Sequence, residues 1–179
     1  MNKKVSKKKK IMLLFDLLGI LLLIGFDQIT KYIAVMQLKD KPAFSIINGV
    51  LEFNYLENKG AAFGMLQNQK AFFVFVAVVI LGVIAYVLYK TPDDKKYTKL
   101  HVLLSFIAAG AIGNMIDRIR LDYVVDFIYI VLINFPIFNV ADMYVSFSTV
   151  ILVILLLFVY KESDLNFISF KQKKYREIK

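Results

Sequence analysis

The chain of 179 residues contains no cysteine and no tryptophan, and His101 is its only histidine. The absence of cysteine excludes disulfides, thiol catalysis and iron–sulfur ligation. A single histidine argues against a histidine-rich zinc site and against a Ser-His-Asp triad. We therefore predict that the protein binds no metal and uses no cofactor.

Polar residues are scarce as well, since 59% of the chain is hydrophobic, against about 45–50% in soluble domains. This excess predicts a membrane protein. The first apolar segment is too long for a signal peptide and is followed by no small-x-small cleavage site, so it is interpreted as a retained span. Four segments are long and apolar enough to cross a bilayer, namely 11–36, 71–89, 100–116 and 142–160.

Basic residues are concentrated in three segments that four spans place on one side of the membrane. Residues 1–10 hold six lysines, the loop 90–99 holds four, and the tail 161–179 holds six Lys or Arg. The positive-inside rule assigns this side, with both termini, to the cytoplasm. The net charge of +9 is thus a topology signal beside anionic lipid headgroups, and no nucleic-acid partner is predicted.

The remaining two loops, 37–70 and 119–140, then lie outside the cell. In the first, Asn48-Gly49 separates two apolar runs, which predicts a β-hairpin. The fold class is therefore an all-α membrane protein with a small antiparallel β element. One membrane domain is predicted over 11–160, with basic tails at 1–10 and 161–179 that are expected to be mobile.

Ionisable and amide side chains gather at one depth of this predicted bundle, the outer boundary of the bilayer. In the cytoplasmic half only Asp16 stands within a span, and His101 is expected at the interface. A channel or transporter needs polar groups at several depths, whereas an enzyme acting at the interface needs them at one. The residues at the outer level are Asp27, Lys31, Asn114, Asp117, Arg118, Asp126 and Asp142.

Asp126 and Asp142 are notable within this group because each stands in an apolar stretch. Two buried carboxyls close together share one proton, so that one can accept a proton from water while the other donates to a carbonyl oxygen. This arrangement hydrolyses peptides without Ser, Cys, His or metal. The structural alternative is that Asp126 pairs with Arg118 or Arg120 and Asp142 caps the fourth helix.

The other polar residues are expected to support the site. Asp27 and Lys31, spaced i,i+4, are predicted to pair, and so are Asp117 and Arg118. The segment from Asn58 through Gly60 to Gly64 could present amides to a peptide or form a simple loop-to-helix turn. A Ser/Lys hydrolase using Lys31 with Ser105, Ser146 or Ser148, a small transporter and a scaffold protein remain as rival interpretations.

Five motifs, in this order and spacing, resemble those of the lipoprotein signal peptidases, the bacterial signal peptidase II family of membrane aspartyl proteases. The resemblance extends over about residues 11–160. The motifs are Asp27-Gln28-Ile29-Thr30-Lys31, Asn58-Lys59-Gly60-Ala61-Ala62-Phe63, Gly113-Asn114-Met115-Ile116-Asp117-Arg118, Val124-Val125-Asp126-Phe127 and Phe138-Asn139-Val140-Ala141-Asp142.

The resemblance implies a four-helix endopeptidase with an extracytoplasmic β-cradle in the bacterial cytoplasmic membrane. It implies cleavage of diacylglyceryl-modified prolipoproteins before the lipid-modified cysteine, and inhibition by peptide antibiotics such as globomycin. By motif, Asp126 and Asp142 match the catalytic pair. Polar residues lining the site are matched by Asn58, Gly60, Asn114, Arg118 and Asn139, and supporting positions by Asp27 and Lys31.

Overall fold

A computed structural model describes residues 6–60 and 66–168 of the chain. Its framework is four helices long and apolar enough to cross a membrane, as the hydrophobic pattern predicted. The helices are α1 (Lys7–Leu38), α2 (Lys70–Lys90), α3 (Thr98–Leu121) and α4 (Val140–Phe158).

A three-stranded antiparallel sheet covers one end of the helices, which we call the sheet end. Its strands are β1 (Phe44–Ile47), β2 (Leu51–Asn58) and β3 (Val124–Ile130), in the order β1-β2-β3. The β1–β2 hairpin turns at the predicted Asn48-Gly49 pair, where Gly49 has a φ of +71° that a residue without Cβ adopts freely. The hairpin is confirmed, whereas β3 lies in a segment that was expected to be a loop.

Helix α3 is the central helix and packs against α1, α2 and α4. Small residues make this possible, because a Cβ on Gly110 would lie 2.5 Å from the backbone oxygen of Ala141 in α4. A Cβ on Gly113 would lie 2.5 Å from Oδ2 of Asp27 in α1. Both glycines therefore bring neighbouring helices into close contact near the sheet end.

The opposite end, which we call the lysine-rich end, is more ordered than the sequence indicated. Helix α1 already begins at Lys7 with Ser6 as its N-cap, and buried Lys9 donates from Nζ to the carbonyl oxygens of Leu88 and Thr91, at 2.6 and 2.5 Å. Because these are carbonyls at the C-terminus of α2, the lysine neutralises that helix end.

The predicted mobile tail after α4 is also ordered in part, since a 3₁₀ helix spans Glu162–Ile168. Its Phe167 meets the ring of Tyr97 edge to face at 5.4 Å, and Tyr97 in turn stacks on Tyr160. Residues 1–5 and 169–179, the other parts predicted to be mobile, lie outside the described residues.

Candidate active site

A cavity of about 430 Å³ opens at the sheet end, between the sheet, α3 and α4. Its wall is apolar along the segment 135–138 and the first turns of α4. The polar groups of its wall belong to Asn58, Gly60, Asn114, Arg118, Asp126, Asp142 and Ser146. Residues from β2, β3, α3 and α4 thus meet in one cavity.

Asp126 lies on β3, paired in register with Leu56 of β2, and is only 1% exposed. Its Oδ2 accepts a hydrogen bond from Nδ2 of Asn58 at 2.8 Å, and its Oδ1 accepts one from Nδ2 of Asn139 at 2.6 Å. Burial, and secondarily the nearby charge of Asp142, raise the pKa of Asp126 to about 7. Near neutral pH this carboxyl can therefore either hold or accept a proton.

Asp142 is fixed by the way α4 begins. Asn139 is the N-cap, and its side chain accepts a hydrogen bond from the backbone N–H of Asp142, while Oδ2 of Asp142 accepts one from the backbone N–H of Asn139 at 3.1 Å. This reciprocal capping box satisfies two free amides of the first turn. Asp142 is thus the third helical residue and not the N-cap of the structural alternative, and its Oδ1 is free to accept from Asn114 Nδ2 at 2.7 Å.

Two asparagines connect the aspartates. Asn139 donates one hydrogen from Nδ2 to Asp126 and another, at 3.1 Å, to Oδ1 of Asn114, which in turn donates to Asp142. Every asparagine in this chain of bonds presents its amide nitrogen to a carboxylate, so each carboxyl rotamer is held by donors and not by a cation. The structural alternative in which Asp126 pairs with Arg118 or Arg120 is therefore wrong.

A buried ionic cluster lies behind Asn114. Nζ of Lys31 is 3.0 Å from carboxylate oxygens of both Asp27 and Asp117, and it donates to Oδ1 of Asn114 at 2.9 Å. Asp27 also accepts from the backbone N–H of Ala141 at 2.9 Å. The predicted Asp27–Lys31 pair is confirmed, and it connects α1, α3 and α4.

The predicted pairing of Asp117 with Arg118 is wrong. Asp117 faces Lys31, and its Oδ2 also accepts the backbone N–H of Val125 at 3.1 Å. Arg118 points the other way, donating to the carbonyl oxygen of Gly60 at 3.1 Å and lying 4.5 Å over the ring of Phe73. Successive helical residues point about 100° apart. Asp117 therefore faces the buried ionic cluster, whereas Arg118 faces the cavity.

The segment after β2 reaches the cavity through an Asx-type turn. Oδ1 of Asn58 accepts the backbone N–H of Gly60 at 2.9 Å while its Nδ2 remains on Asp126. Gly60 is buried, and its carbonyl oxygen accepts a hydrogen bond from Arg118. Residues 61–65, the rest of the motif predicted to present amides, lie outside the described residues.

Sequence reasoning missed one polar contributor. Gln28 donates from Nε2 to Asp117 at 3.0 Å, and its position one residue after Asp27 in a span was the available signal. His101, expected at the interface, is 2% exposed and pairs with Asp16 at 2.6 Å. No group of three or more His, Cys, Asp or Glu residues arranged to hold a metal occurs within 6–60 and 66–168.

Comparisons with known proteins agree with this architecture. The model of the family described as signal peptidase (SPase) II matches residues 19–158. A lipoprotein signal peptidase of Streptococcus pyogenes serotype M5 (strain Manfredo) is 40% identical over 147 residues, which cover 82% of this chain and 93% of that protein. One from Streptococcus thermophilus (strain CNRZ 1066) is 42% identical over 138 residues, covering 77% of this chain and 89% of that protein.

The fold is also that of solved membrane enzymes. A bacterial membrane enzyme determined by the in meso method at 2.3 Å resolution is 32% identical, with a TM-score of 0.71 over 89% of this chain and 94% of that one. A second such structure, at 1.9 Å resolution, has a TM-score of 0.70 at the same identity, over 82% of this chain and 94% of that one. With a family match across all four membrane helices, the chain belongs to the signal peptidase II family and is a multi-pass membrane protease.

Proposed function

We propose that the protein is an aspartic endopeptidase that removes signal peptides from prolipoproteins by cleaving before the lipid-modified cysteine. Asp126 and Asp142 are the proposed catalytic residues, and a water molecule is the proposed nucleophile. The single observation that carries this proposal is the convergence in one cavity of two carboxyls, that of buried Asp126 and that of half-buried Asp142, each held by asparagine amides. Neither a cofactor nor a metal is required.

The proposed reaction uses one proton shared by the two carboxyls. The ionised carboxyl takes a proton from water as the water oxygen attacks the scissile carbonyl carbon, and the protonated carboxyl donates its proton to the carbonyl oxygen. The resulting gem-diol then loses a proton to one carboxylate while the amide nitrogen receives a proton from the other, and the C–N bond breaks. The pKa of Asp126, raised to about 7, suits a group that both accepts and donates.

The asparagines supply the positioning that such a reaction needs. Hydrogen bonds from Asn58 and Asn139 fix the side-chain orientation of Asp126. The capping box and the hydrogen bond from Asn114 fix that of Asp142. Neutral amide donors stabilise a carboxylate less than a cation does, so they allow the pair to keep its proton. Arg118 and Gly60, which line the same cavity, are proposed to bind the substrate backbone.

The depth of the cavity supports a lipid-anchored substrate. Apolar side chains of its wall, among them Phe135, Met143 and Phe147, are exposed beside the membrane-spanning surface of α4. Diacylglyceryl chains in the surrounding lipid would hold the peptide bond at this level and replace a three-dimensional search by a two-dimensional one. Peptide antibiotics such as globomycin are proposed to occupy the same cavity.

The distribution of charge supports the proposed orientation. The segments 1–10, 90–99 and 161–179 carry 16 of the 23 basic residues, which supports a proposed orientation with the lysine-rich end in the cytoplasm of a bacterial cell and the sheet end at the outer leaflet. On this basis the membrane domain covers 11–160, with a basic cytoplasmic segment at each terminus.

Cleavage of a lipidated precursor, followed by gel shift, tests the proposal. Asp126→Asn and Asp142→Asn are each expected to abolish cleavage while the protein remains inserted and folded. Asp122→Asn is the matched control, since Asp122 is an exposed aspartate at the same end, bonded to Lys70. Ser146→Ala, which alters the same cavity wall, is expected to leave cleavage intact; its failure together with normal cleavage by the Asn variants would support a serine hydrolase.

A further inference from the structure

Helix α2 contributes to the surroundings of the proposed active site through one residue near its start. Among the described residues that line the cavity, none belongs to α2. Phe73, in the first turn of α2, nevertheless lies against the guanidinium of Arg118, whose Cζ is 4.5 Å from the centroid of the ring. Since Arg118 lines the cavity, Phe73 contacts a residue of the site without belonging to its wall.

The charge of Arg118 has few partners in the protein. Within residues 6–60 and 66–168, no carboxylate oxygen lies within 4.0 Å of its guanidinium. Its hydrogen bonds go to two backbone carbonyl oxygens, that of Asn114 at 3.3 Å and that of Gly60 at 3.1 Å. A cation without a counter-ion depends on neutral groups for stabilisation, and the face of an aromatic ring is such a group.

The ring restricts the guanidinium in a way that the two carbonyls do not. Hydrogen bonds to carbonyls are made by N–H groups at the edge of the planar guanidinium, whereas an aromatic ring contacts its face. Edge and face contacts together fix both the position and the tilt of the plane. A guanidinium has five N–H groups. The carbonyls of Asn114 and Gly60 use two of them, so the others have no acceptor among the described residues.

We propose that Phe73 is a positioning residue, which holds Arg118 so that its remaining N–H groups face the substrate backbone in the cavity. This inference rests on the proposed function, in which Arg118 binds that backbone. It gives α2 a part in substrate recognition through the face of one aromatic ring.

The alternative role for Phe73 is apolar packing alone. Its neighbour Phe72, which is exposed, meets its ring edge to face at 5.7 Å, so the ring also has apolar contacts. Packing depends on the size and shape of a side chain, whereas a cation–π contact depends on the electron density of the ring face. Replacing ring hydrogens by fluorine lowers that electron density and changes the size of the ring little, which separates the two roles.

The experiment measures cleavage of a lipidated precursor by the full-length protein in detergent, with phenylalanine or its mono-, di- and trifluoro derivatives at position 73. KM is expected to rise with each added fluorine, by about fivefold over the series, while kcat and the melting temperature stay the same. A KM that stays constant across the series would overturn the proposal.

Ordinary substitutions provide a second test. Phe73→Leu removes the aromatic face and keeps an apolar side chain, so KM is expected to rise about fivefold. Phe73→Tyr retains the face and should keep the KM of the unsubstituted protein. Phe75→Leu is the matched control, since Phe75 is an exposed phenylalanine of the same helix, and it should leave KM unchanged. Equal increases in KM for Phe73→Tyr and Phe73→Leu would contradict a role for the ring face.

Failure of the proposed function gives a different result. If the unsubstituted protein leaves the precursor intact, or if Asp126→Asn cleaves it normally, the proposed function is wrong and the positioning role is wrong with it. If cleavage requires both aspartates and KM does not respond to fluorination of Phe73, only the positioning role is wrong.

Discussion

Asn139 shows how much one side chain can do in this protein. Its Oδ1 caps α4 by accepting the backbone N–H of Asp142, while its Nδ2 donates to Asp126 and Asn114. The residue is fully buried. The start of a membrane helix and the orientation of a proposed catalytic carboxyl therefore depend on the same amide, so we expect stability and activity to be coupled.

Substitutions at Asn139 are expected to separate these two roles. Asn139→Ala loses the cap, which costs about 1 kcal/mol, and also the donor to Asp126, so both the melting temperature and cleavage should fall. Asn139→Ser retains a capping oxygen but cannot donate as the amide does. It should keep most of the stability and lose cleavage, as measured by thermal unfolding in detergent and gel shift. Full cleavage by the serine variant would exclude a positioning role.

Asp126 is expected to make stability depend on pH. Its folded-state pKa of about 7 lies above the ordinary 3.8, so the neutral carboxyl favours folding fully below about pH 4. That contribution declines as pH rises toward about 7, by up to about 1.4 kcal/mol per pH unit. Asp126→Asn has no proton to lose there, so its melting temperature relative to the unsubstituted protein should rise between pH 5 and 8. A parallel pH dependence of the two proteins would contradict this.

The same proton is expected to limit activity. Above about pH 7 the Asp126 carboxyl loses the proton that the pair shares, and no acid then remains to protonate the carbonyl oxygen. The rate of precursor cleavage should therefore fall on the alkaline side of neutrality. A rate that stays constant to pH 9, measured with the lipidated precursor at saturating concentration, would argue against a shared proton.

Sequence reasoning succeeded at the residue scale where burial carried the signal. Asp126 and Asp142 were selected because carboxyls in apolar stretches are rare, and both lie in one cavity. It failed for Asp117 and Arg118, because closeness in sequence was taken for contact. Which way each points depends on the neighbouring helix, and Lys31, the true partner of Asp117, is 86 positions earlier in the chain.

At the scale of elements, the contact of α3 with α4 depends on Gly110. A Cβ there would meet the carbonyl oxygen of Ala141, a backbone atom two residues from Asn139. A shift of the backbone at the start of α4 would also displace the capping box. Gly110 therefore helps to position the residues of the site, although it does not line the cavity.

Gly110→Ala is expected to destabilise the protein by about 1–3 kcal/mol, the usual effect of overpacking, and to lower cleavage. Gly82→Ala in α2 is the matched control, because a Cβ there meets nothing within 4 Å. The control should be neutral or slightly stabilising, since alanine favours helix by about 1 kcal/mol. Thermal unfolding in detergent measures both, and a neutral Gly110→Ala would show that the helices can separate without loss.

The elements themselves were predictable to the extent that their signals are local. Each of the four apolar runs and the Asn-Gly turn can be recognised from a short stretch of sequence. The four runs correspond to the four long helices, and the turn corresponds to the β1–β2 hairpin. Strand β3 was missed because its run Val124–Ile130 acquires its identity only by pairing with β2, with Asn58 opposite Val124. Pairing over such a separation leaves no local trace.

At the scale of the whole molecule, the absence of cysteine provides a clean test of orientation. Ser45 on β1 and Ser163 in the last 3₁₀ helix are both exposed, at opposite ends of the bundle. In intact spheroplasts, a membrane-impermeant thiol reagent should label Ser45→Cys, and it should label Ser163→Cys only after permeabilisation. The opposite pattern would invert the proposed topology.

The capping of α4 by Asn139 also has a consequence for biosynthesis. The chain is made from its amino terminus, so three helices and the whole sheet exist before Asn139 and Asp142 leave the ribosome. On the proposed mechanism, an interrupted product carries one carboxyl without its counterpart and is inert toward precursors passing through the same translocon. On that mechanism, hydrolytic competence is acquired only once the segment that forms α4 has been made.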